Sequence, residues 1–241
     1  MNEKKVAVYT GTRNLYPEMV AAVKSMLIHS DVNEIWLFTE DDEFPYELPD
    51  IVKVKNVSDQ KYFKADGPNM KSKFTYMAMM RATLYKEFED LNQILSLDVD
   101  TIVNEDIDDL WEINLGDEYY LAAVPEPARS FRDDIYVNIG VALYNLKKLR
   151  DGKGDEVVKA LNEGNYTYLE QDVFNQKCKG KILKLSSIYN ATNYTAPTTS
   201  PKIVHYAGIK HDIWRRTPLV DHYYNVPWDD ILEYRKRKYR L

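Results

Sequence analysis

The sequence predicts a single α/β domain with a mixed, mostly parallel central sheet flanked by helices. The first observation is the order of its opening segments, which are an apolar run, a helical pattern and two further apolar runs. The second is a long buried-strand pattern, Asn92–Val103, that carries two aspartates near its end. In such folds ligands bind at the carboxyl ends of parallel strands, so functional residues are expected there. The opening segments are Val6–Thr10, Pro17 to about His29, Ile35–Thr39 and Val52–Val57.

The size and composition of the chain fit one globular domain. Its 241 residues can bury a full core, and 44% of them are hydrophobic and 29% charged. The net charge of −6, from 32 cationic and 38 acidic residues, argues against a surface built to bind polyanions. Cys178 is the single cysteine and cannot form an internal disulfide, which indicates a reducing compartment. With no apolar run of about 20 residues and no signal-peptide core after Met1, we expect a cytoplasmic protein.

The remaining elements continue the alternation of apolar runs and helical patterns. A polar loop at 59–70 precedes a mostly buried helix from Ser72 to about Phe88. Asn138 and Gly140 interrupt a strand pattern at 136–146, and the glycine predicts a bulge or a close approach to a ligand. No repeat or second domain is evident, so we assign residues 1–230 to one domain and 231–241 to a basic aromatic tail. The other expected elements are a short helix at 107–111, a strand at 119–124, a loop at 129–134, a glycine-broken helix at 147–162, a helix at 169–176, a strand at 182–185, a loop at 190–201 and a strand opening the segment 203–214.

Asp98 and Asp100 stand at alternate positions of the strand pattern, which would place both carboxylates on one face. Like charges on a buried strand repel, and each is costly to desolvate unless a cation compensates. Mg²⁺ or Mn²⁺ would remove that cost. A solvated strand end that caps the turn before Asn104 explains the spacing equally well, so the pair alone leaves both interpretations open. Arg81, on the preceding helix, is either a counter-charge for the pair or a side chain that snorkels to the surface.

Two further patterns limit the chemistry. The chain contains no Gly-x-Gly-x-x-Gly and no Gly-Lys-Ser/Thr phosphate loop, which argues against a classical dinucleotide-binding fold and a P-loop enzyme. His205 ends a predicted strand and is followed by Gly208, Lys210 and His211. A histidine in such a place is usually structural, but this cluster could serve a complex of phosphate and metal.

With these motifs in order, the chain resembles the retaining glycosyltransferases of family 8, which include glycogenin and bacterial lipopolysaccharide glucosyl- and galactosyltransferases. The resemblance runs from about Val6 to Trp214 and implies a GT-A fold. Its motifs are Leu97-Asp98-Val99-Asp100, His205-Tyr206-Ala207-Gly208, Asn138-Ile139-Gly140-Val141, Glu170-Gln171-Asp172 and an arginine, Arg81, on the preceding helix.

The resemblance also implies roles for individual residues. Asp98, Asp100 and His205 would bind Mn²⁺, with Mg²⁺ as the alternative, and the ion would bridge the donor diphosphate. Arg81 would contact the acidic motif and the donor. The catalytic positions would be Glu170, Gln171 and Asp172, with Gln171 beneath the sugar. The other implied donor-binding positions are Thr10, Thr12, Asn14 and a stacking Tyr16 for uridine, together with Val99, Asn138, Gly140, Gly208, Lys210 and His211.

The chain departs from the family pattern at two of these positions. Glu170 stands where the family usually has an aspartate, so a longer carboxylate would meet the sugar. Lys210 follows Gly208 by two residues instead of three, which leaves open whether Lys210 or His211 faces the diphosphate. An acidic sugar contact is expected after the strand at 119–124, at either Glu126 or Asp134.

The resemblance therefore implies a metal-dependent retaining hexosyltransferase that moves glucose or galactose from a UDP-sugar to a glycan or other hydroxyl acceptor. Because Gln171 is a poor nucleophile, we expect front-side attack by the acceptor, with the departing phosphate as the base. Two alternatives remain. A nucleotidyltransferase that forms sugar nucleotides shares the paired carboxylates, but its glycine-rich basic loop is absent. A sugar-binding protein of the same fold without turnover is the other.

The C-terminal segment Tyr234–Arg240 concentrates cations beside aromatic residues in an otherwise acidic chain. A solvated helix end is one interpretation. Contact with an anionic membrane surface is another, and it suits a family many of whose members glycosylate lipid-linked glycans. We therefore expect a glycan or lipid-linked acceptor and peripheral contact with the inner membrane face, and a nucleic-acid acceptor stays open as a weaker alternative.

Overall fold

The protein is described here by a computed structural model that covers residues 4–72, 74–132 and 134–240. Outside the described part lie Met1–Glu3, Lys73, Asp133 and Leu241. Lys73 belongs to the predicted helix at 72–88, Asp133 to the predicted loop at 129–134 and Leu241 to the predicted tail. The strands are β1 (Val6–Thr10), β2 (Glu34–Thr39), β3 (Val52–Asn56), β4 (Gln93–Leu97), β5 (Thr101–Val103), β6 (Leu121–Pro125), β7 (Val137–Asn145), β8 (Ile182–Lys184) and β9 (Ile203–His205). The α-helices are α1 (Tyr16–His29), α2 (Tyr76–Met79), α3 (Leu84–Glu87), α4 (Leu146–Lys148), α5 (Gly154–Glu163), α6 (Leu169–Lys177), α7 (His211–Trp214), α8 (Pro218–Asn225) and α9 (Trp228–Tyr239).

In the described residues, the central sheet has seven strands in the order β3-β2-β1-β4-β7-β6-β8. Its strands run parallel except for β7, which is antiparallel to both β4 and β6. In β1, Val6 and Val8 enter one apolar core while Ala7 and Tyr9 enter the other. Both faces of the sheet are therefore buried, which explains why its strands are nearly continuous apolar runs. The predicted α/β class with a mixed, mostly parallel sheet is confirmed.

The predicted strand Asn92–Val103 is wrong as a single element. It is two strands, β4 and β5, separated by a turn at Asp98–Asp100. The amide of Asp98 donates to the carbonyl of Gly140 at 2.7 Å, and the Thr101 hydroxyl donates to the carbonyl of Asp98 at 2.7 Å. These bonds turn the chain out of the main sheet, so a turn brings the two carboxylates together and strand alternation does not.

One other predicted element is shorter than expected. The helix expected from Ser72 to Phe88 is divided into α2, a 3₁₀ turn at Met80–Thr83 and α3. In the segment 203–214, the strand ends at His205, and a turn with Gly208 at φ +73° leads into α7. The bulge predicted in the strand at 136–146 is confirmed. β7 is continuous, but its pairing with β6 shifts register, so that Ala123 lies opposite Ala142 and Val124 opposite Asn138.

Helices α8 and α9 cover the outer face of α1. The ammonium of Lys24 donates to the carbonyls of Tyr224 and Val226 at 2.7 and 2.6 Å. Arg235 is 2% exposed and donates to the carbonyls of Leu27, Ser30 and Val32. Most of the segment set apart in the sequence as a basic tail is thus part of a docked helix.

None of the helices in the described residues combines the length and the apolar character that crossing a membrane requires.

Candidate functional site

A cavity of about 420 Å³ lies at the carboxyl ends of β1 and β4. Within the sheet, β2 pairs with one edge of β1 and β4 pairs with the opposite edge. The order of the strands therefore reverses at β1, and ligands are expected at such a topological switch point. Thr10, Thr12 and Asn14 line one side of this donor cavity, as we name it. Its other lining residues include Met77, Ala78, Arg81, Asp98, Val99, Asp100, Glu170, Gln171 and Trp214.

Asp98, Asp100 and His205 meet at the edge of the donor cavity. Each offers one ligand atom, and these atoms lie within 4.8 Å of one another. The His205 Nε2 atom is 3.2 Å from Asp100 Oδ1 and 3.5 Å from Asp98 Oδ2. The pairing of β5 with β9 explains the arrangement, because it sets Thr101 opposite His205, and Tyr206 donates its amide to the carbonyl of Asp100 at 2.9 Å.

The donor set fits a divalent cation. Carboxylates suit Mg²⁺ and Mn²⁺, and an imidazole suits first-row transition metals, so the three side chains together could hold one divalent ion. Burial alone raises the pKa of Asp98, but the charges of Arg81 and His205 outweigh burial and lower it. Burial alone lowers the pKa of His205, but the carboxylates of Asp100 and Asp98 outweigh burial and raise it. The three side chains attract a positive charge among them, and a bound cation would take the place of the imidazole proton.

Arg81 is a buried counter-charge, 5% exposed, and does not snorkel to the surface. It forms ion pairs with Asp98 Oδ1 and, at 3.1 Å, with Glu170 Oε1. Its guanidinium also donates to the carbonyls of Ile139 and Ala78 at 2.9 and 3.2 Å. Because Arg81 occupies Oδ1 of Asp98, the Oδ2 atom is left facing His205.

Gly140 packs directly behind these ligand atoms. A Cβ at this position would stand closer than 3.0 Å to His205 Cε1 and Asp98 Oδ2. The close approach predicted from glycine in a strand is therefore an approach of side chains from the same chain.

Replacing Gly140 with alanine should displace His205 or Asp98 and weaken the binding of Mn²⁺ at least tenfold, with about 1–3 kcal/mol of stability lost to overpacking. Calorimetric titration with Mn²⁺ and urea unfolding measure the two effects. Gly180→Ala is the control, since Gly180 has φ +73° and a Cβ added there would lie in open space. It should cost stability through its left-handed backbone and leave Mn²⁺ affinity unchanged. Equal Mn²⁺ affinity in both variants would contradict this account.

A second cavity, of about 330 Å³, adjoins Asp98, Asp100 and His205 on the other side. We call it the second cavity. It shares Phe74, Asp98, Asp100, Tyr168 and Gln171 with the donor cavity, and its other lining residues are Glu126, Arg129, Asn138, Tyr194, His205, Ala207 and Gly208. Glu126 is 3% exposed and points into this cavity, whereas Asp134 pairs with Lys179 at 2.6 Å outside it. Of the two acidic candidates, the geometry favours Glu126.

The start of α6 forms the floor between the cavities. Gln171 accepts a hydrogen bond from the amide of Ile139 at 3.2 Å and donates to the hydroxyl of Tyr136 at 3.1 Å. Burial raises the pKa of Glu170 to about 7, although Arg81 opposes that rise. Asp172 lines neither cavity and instead accepts from the Tyr136 hydroxyl at 2.5 Å and from the Tyr168 amide at 2.8 Å.

Besides Asp172 and Gly140, three predicted residues lie outside both cavities. Tyr16 is 1% exposed, packs on Phe44 with ring centroids 4.6 Å apart and donates to Asp41, so its ring is not available to stack on a base. The imidazole of His211 is 2.7 Å from Glu18 Oε1, and Lys210 is exposed at the start of α7. Neither lines a cavity here, while Trp214 of the same helix does.

Sequence reasoning missed several lining residues. Tyr168 and Tyr194 come from segments with no periodic pattern, and Phe74, which was assigned to the buried face of a predicted helix, precedes α2 and lines the cavity. The guanidinium of Arg129 lies 3.7 Å from the centroid of the Tyr168 ring. Asn190 was assigned only to a polar loop, yet it contacts His205 at 2.8 Å. For these missed aromatic residues, their type in or beside polar loops was the available sequence signal.

Comparison with known proteins bears on the family of this chain. The model of the family described as Glycosyl transferase family 8 matches residues 8–217. The glycosyltransferase GlyD of Streptococcus pneumoniae is 25% identical over an alignment covering 98% of this chain and 33% of GlyD. The lipopolysaccharide 1,2-glucosyltransferase of Escherichia coli K12 is 30% identical over 61% of this chain and 56% of its own length.

Solved structures share the fold. The S. pneumoniae glycosyltransferase GlyE superposes with a TM-score of 0.70 at 22% identity, covering 96% of this chain and 63% of that one. The galactosyltransferase LgtC, solved with donor and acceptor sugar analogues, gives 0.64 at 21% identity, covering 93% and 98%. The fold is thus of the GT-A type. This chain spans between one third and about three fifths of its curated relatives GlyD and GlyE. The match over residues 8–217 shows that the chain belongs to glycosyl transferase family 8.

Proposed function

We propose that this chain transfers a hexose, glucose or galactose, from a UDP-sugar to a hydroxyl acceptor with retention of configuration, and that it depends on Mn²⁺. The observation that carries the proposal is the cluster of Asp98, Asp100 and His205 at the border of two cavities. A reaction between two substrates at a metal-held diphosphate needs such a border. Membership of the family supports glycosyl transfer as the reaction class.

The donor cavity suits a sugar nucleotide. Its volume of about 420 Å³ falls in the range of small-molecule sites. Thr10, Thr12 and Asn14 offer hydroxyl and amide groups at the end of β1 for the uridine. Arg81 and the ligand cluster stand at the opposite side, where the diphosphate would lie. A divalent cation bound there would neutralise the charge that develops on the departing diphosphate.

The residues of the chain then bind and orient the two substrates. The bond from the sugar C1 to the diphosphate oxygen breaks while the acceptor oxygen bonds to C1 on the same face. The acceptor hydroxyl gives its proton to an oxygen of the departing phosphate. Gln171, fixed by Ile139 and Tyr136, holds the sugar at the border of the cavities and is too weak a nucleophile to form a covalent intermediate. We place the acceptor in the second cavity, beside Glu126 and Tyr168.

Incubation with UDP-glucose or UDP-galactose and Mn²⁺ tests the proposal. Release of UDP that stops on addition of a chelator is the expected result. Release of pyrophosphate from UTP and a sugar phosphate would favour a nucleotidyltransferase instead. Binding of UDP-sugar without either product would favour a sugar-binding protein. Retention is checked by the anomeric configuration of the product sugar in proton NMR.

We propose that the exposed cations at the end of α9 and just beyond it draw the protein to anionic membranes, where it would meet a lipid-linked acceptor. Lys236, Arg237 and Arg240 are exposed, whereas Arg235 is buried and holds the end of α1. Deleting the segment would therefore disrupt the fold, and point substitutions are the appropriate test.

Changing Lys236, Arg237 and Arg240 together to glutamine should lower partitioning onto vesicles rich in phosphatidylserine about a hundredfold, at about 1 kcal/mol for each cation. Cosedimentation with the vesicles measures it. Lys53, Lys64 and Lys159 are exposed elsewhere and serve as the matched triple control. Partitioning that is equally reduced by both triple variants would mean that net charge alone matters, and an unchanged value would remove the membrane role of α9.

A further inference from the structure

Beyond the ligand cluster lies a buried chain of polar side chains that runs from His205 to the second cavity. The imidazole Nδ1 of His205 is 2.8 Å from Asn190 Oδ1. Asn190 Nδ2 donates to Asn138 Oδ1 at 2.9 Å, and Asn138 Nδ2 donates to Glu126 Oε1 at 2.8 Å. Glu126 Oε2 pairs with Arg129 at 3.4 Å. The two amides and the imidazole are at most 6% exposed, so water does not compete for these bonds.

The direction of each amide follows from groups whose roles are fixed. The Glu126 carboxylate, paired with Arg129, can only accept, so the NH₂ group of Asn138 faces it. The backbone N–H of Gly140 can only donate, and it donates to Asn138 Oδ1 at 2.9 Å. These two hydrogen bonds independently orient the side-chain amide of Asn138 so that its oxygen faces Asn190. Asn190 must then present its own NH₂ group to Asn138 and its oxygen to His205.

An oxygen facing Nδ1 requires that Nδ1 carry the proton. In the neutral imidazole the lone pair is then on Nε2, which faces Asp100 Oδ1 and Asp98 Oδ2. We propose that Asn190 is a positioning residue that fixes the tautomer and the ring orientation of His205, so that Nε2 is free to bind a divalent cation. The inference rests on the proposed metal site.

Asn190 is itself held rigidly. It is 0% exposed, and its carbonyl accepts from the Thr195 hydroxyl at 2.8 Å. The next residue, Ala191, forms a parallel bridge with Val204, and the amide of His205 donates to the carbonyl of Ala191 at 3.0 Å. The loop that carries Asn190 is therefore held by backbone hydrogen bonds against β9, the strand that carries His205. Partners that orient a ligating histidine in this way generally change metal affinity when they are removed.

The test uses the full chain labelled with ¹⁵N at histidine. The chain has four histidines, so the ring signals of His205 are assigned by substituting His29, His211 and His222 in turn. At alkaline pH without metal, the wild type should show Nδ1 protonated and Nε2 unprotonated. This measurement needs no variant of Asn190 to fold. A wild-type spectrum with the proton on Nε2 would overturn the proposal.

Asn190→Ala should lower the affinity for Mn²⁺ about 10–100-fold and populate the tautomer protonated at Nε2. Calorimetric titration without donor sugar measures the affinity. Asn193→Ala, at an exposed position of the same loop, should change neither quantity. Unchanged tautomer and affinity in a folded Asn190→Ala protein would also overturn the proposal. A wild type that keeps Nδ1 protonated but binds no divalent cation would instead refute the proposed function and leave the tautomer assignment standing.

Discussion

Asp100→Asn should reduce Mn²⁺-dependent release of UDP from UDP-glucose or UDP-galactose about a thousandfold. Asp100 Oδ1 lies 3.2 Å from His205 Nε2, so an amide NH₂ at this position would remove a charged ligand and could place a donor against the cation. Initial rates of UDP release at saturating donor and several Mn²⁺ concentrations measure the effect. A loss that more Mn²⁺ partly restores would identify weakened metal binding as its cause.

Asp134→Asn is the matched control for this variant. Asp134 carries the same side chain, but it is 55% exposed and pairs with Lys179 at the surface. Surface pairs of this kind contribute little, so activity and stability should stay near those of the wild type. If Asp100→Asn kept the wild-type rate at every Mn²⁺ concentration, the metal assignment would have to be abandoned, whatever the outcome for Asp134.

The sequence was sufficient to predict those strands whose hydrophobic pattern depends only on neighbouring residues. β1 matches its predicted bounds, and β2 and β3 differ from theirs by one residue, because alternating or continuous apolar residues report the burial of a strand directly. Bends that depend on distant partners were not predictable. The turn at Asp98 is fixed by the carbonyl of Gly140, and strand propensity on either side gives no sign of it.

The same distinction holds for the site. Asp98, Asp100 and His205 could be singled out because two carboxylates in a buried run and a histidine at a strand end are conspicuous by residue type. Tyr16 was misjudged because its aromatic character suits a core as well as a ligand, and only packing on Phe44 decides between the two. Asn190 could not be found, since a bridge between Ala191 and Val204 creates its contact with His205.

Arg81→Met should lower the free energy of unfolding by about 3–5 kcal/mol, the usual result of removing one partner from a buried ion pair. Asp98 and Glu170 would both lose their shared cation. The pKa of Glu170 is already raised to about 7 by burial, and without the opposing charge of Arg81 it should rise further. A carboxyl group whose folded pKa exceeds its unfolded pKa stabilises the fold at low pH and loses that contribution as pH rises. The variant should therefore lose more stability at about pH 8 than at about pH 5.5, by urea unfolding at both values.

Two further variants separate charge from packing. Arg81→Met combined with Glu170→Gln should recover stability at the higher pH, because the buried charge that Arg81 compensated is then partly removed. Arg235→Met is the matched control, since Arg235 is equally buried but donates to the backbone carbonyls of Leu27, Ser30 and Val32. Its loss of stability should be similar at the two pH values. If Arg81→Met showed the same flat pH dependence and Glu170→Gln restored nothing, Arg81 would act mainly through its bonds to the carbonyls of Ile139 and Ala78, and its role as the counter-charge of the site would be refuted.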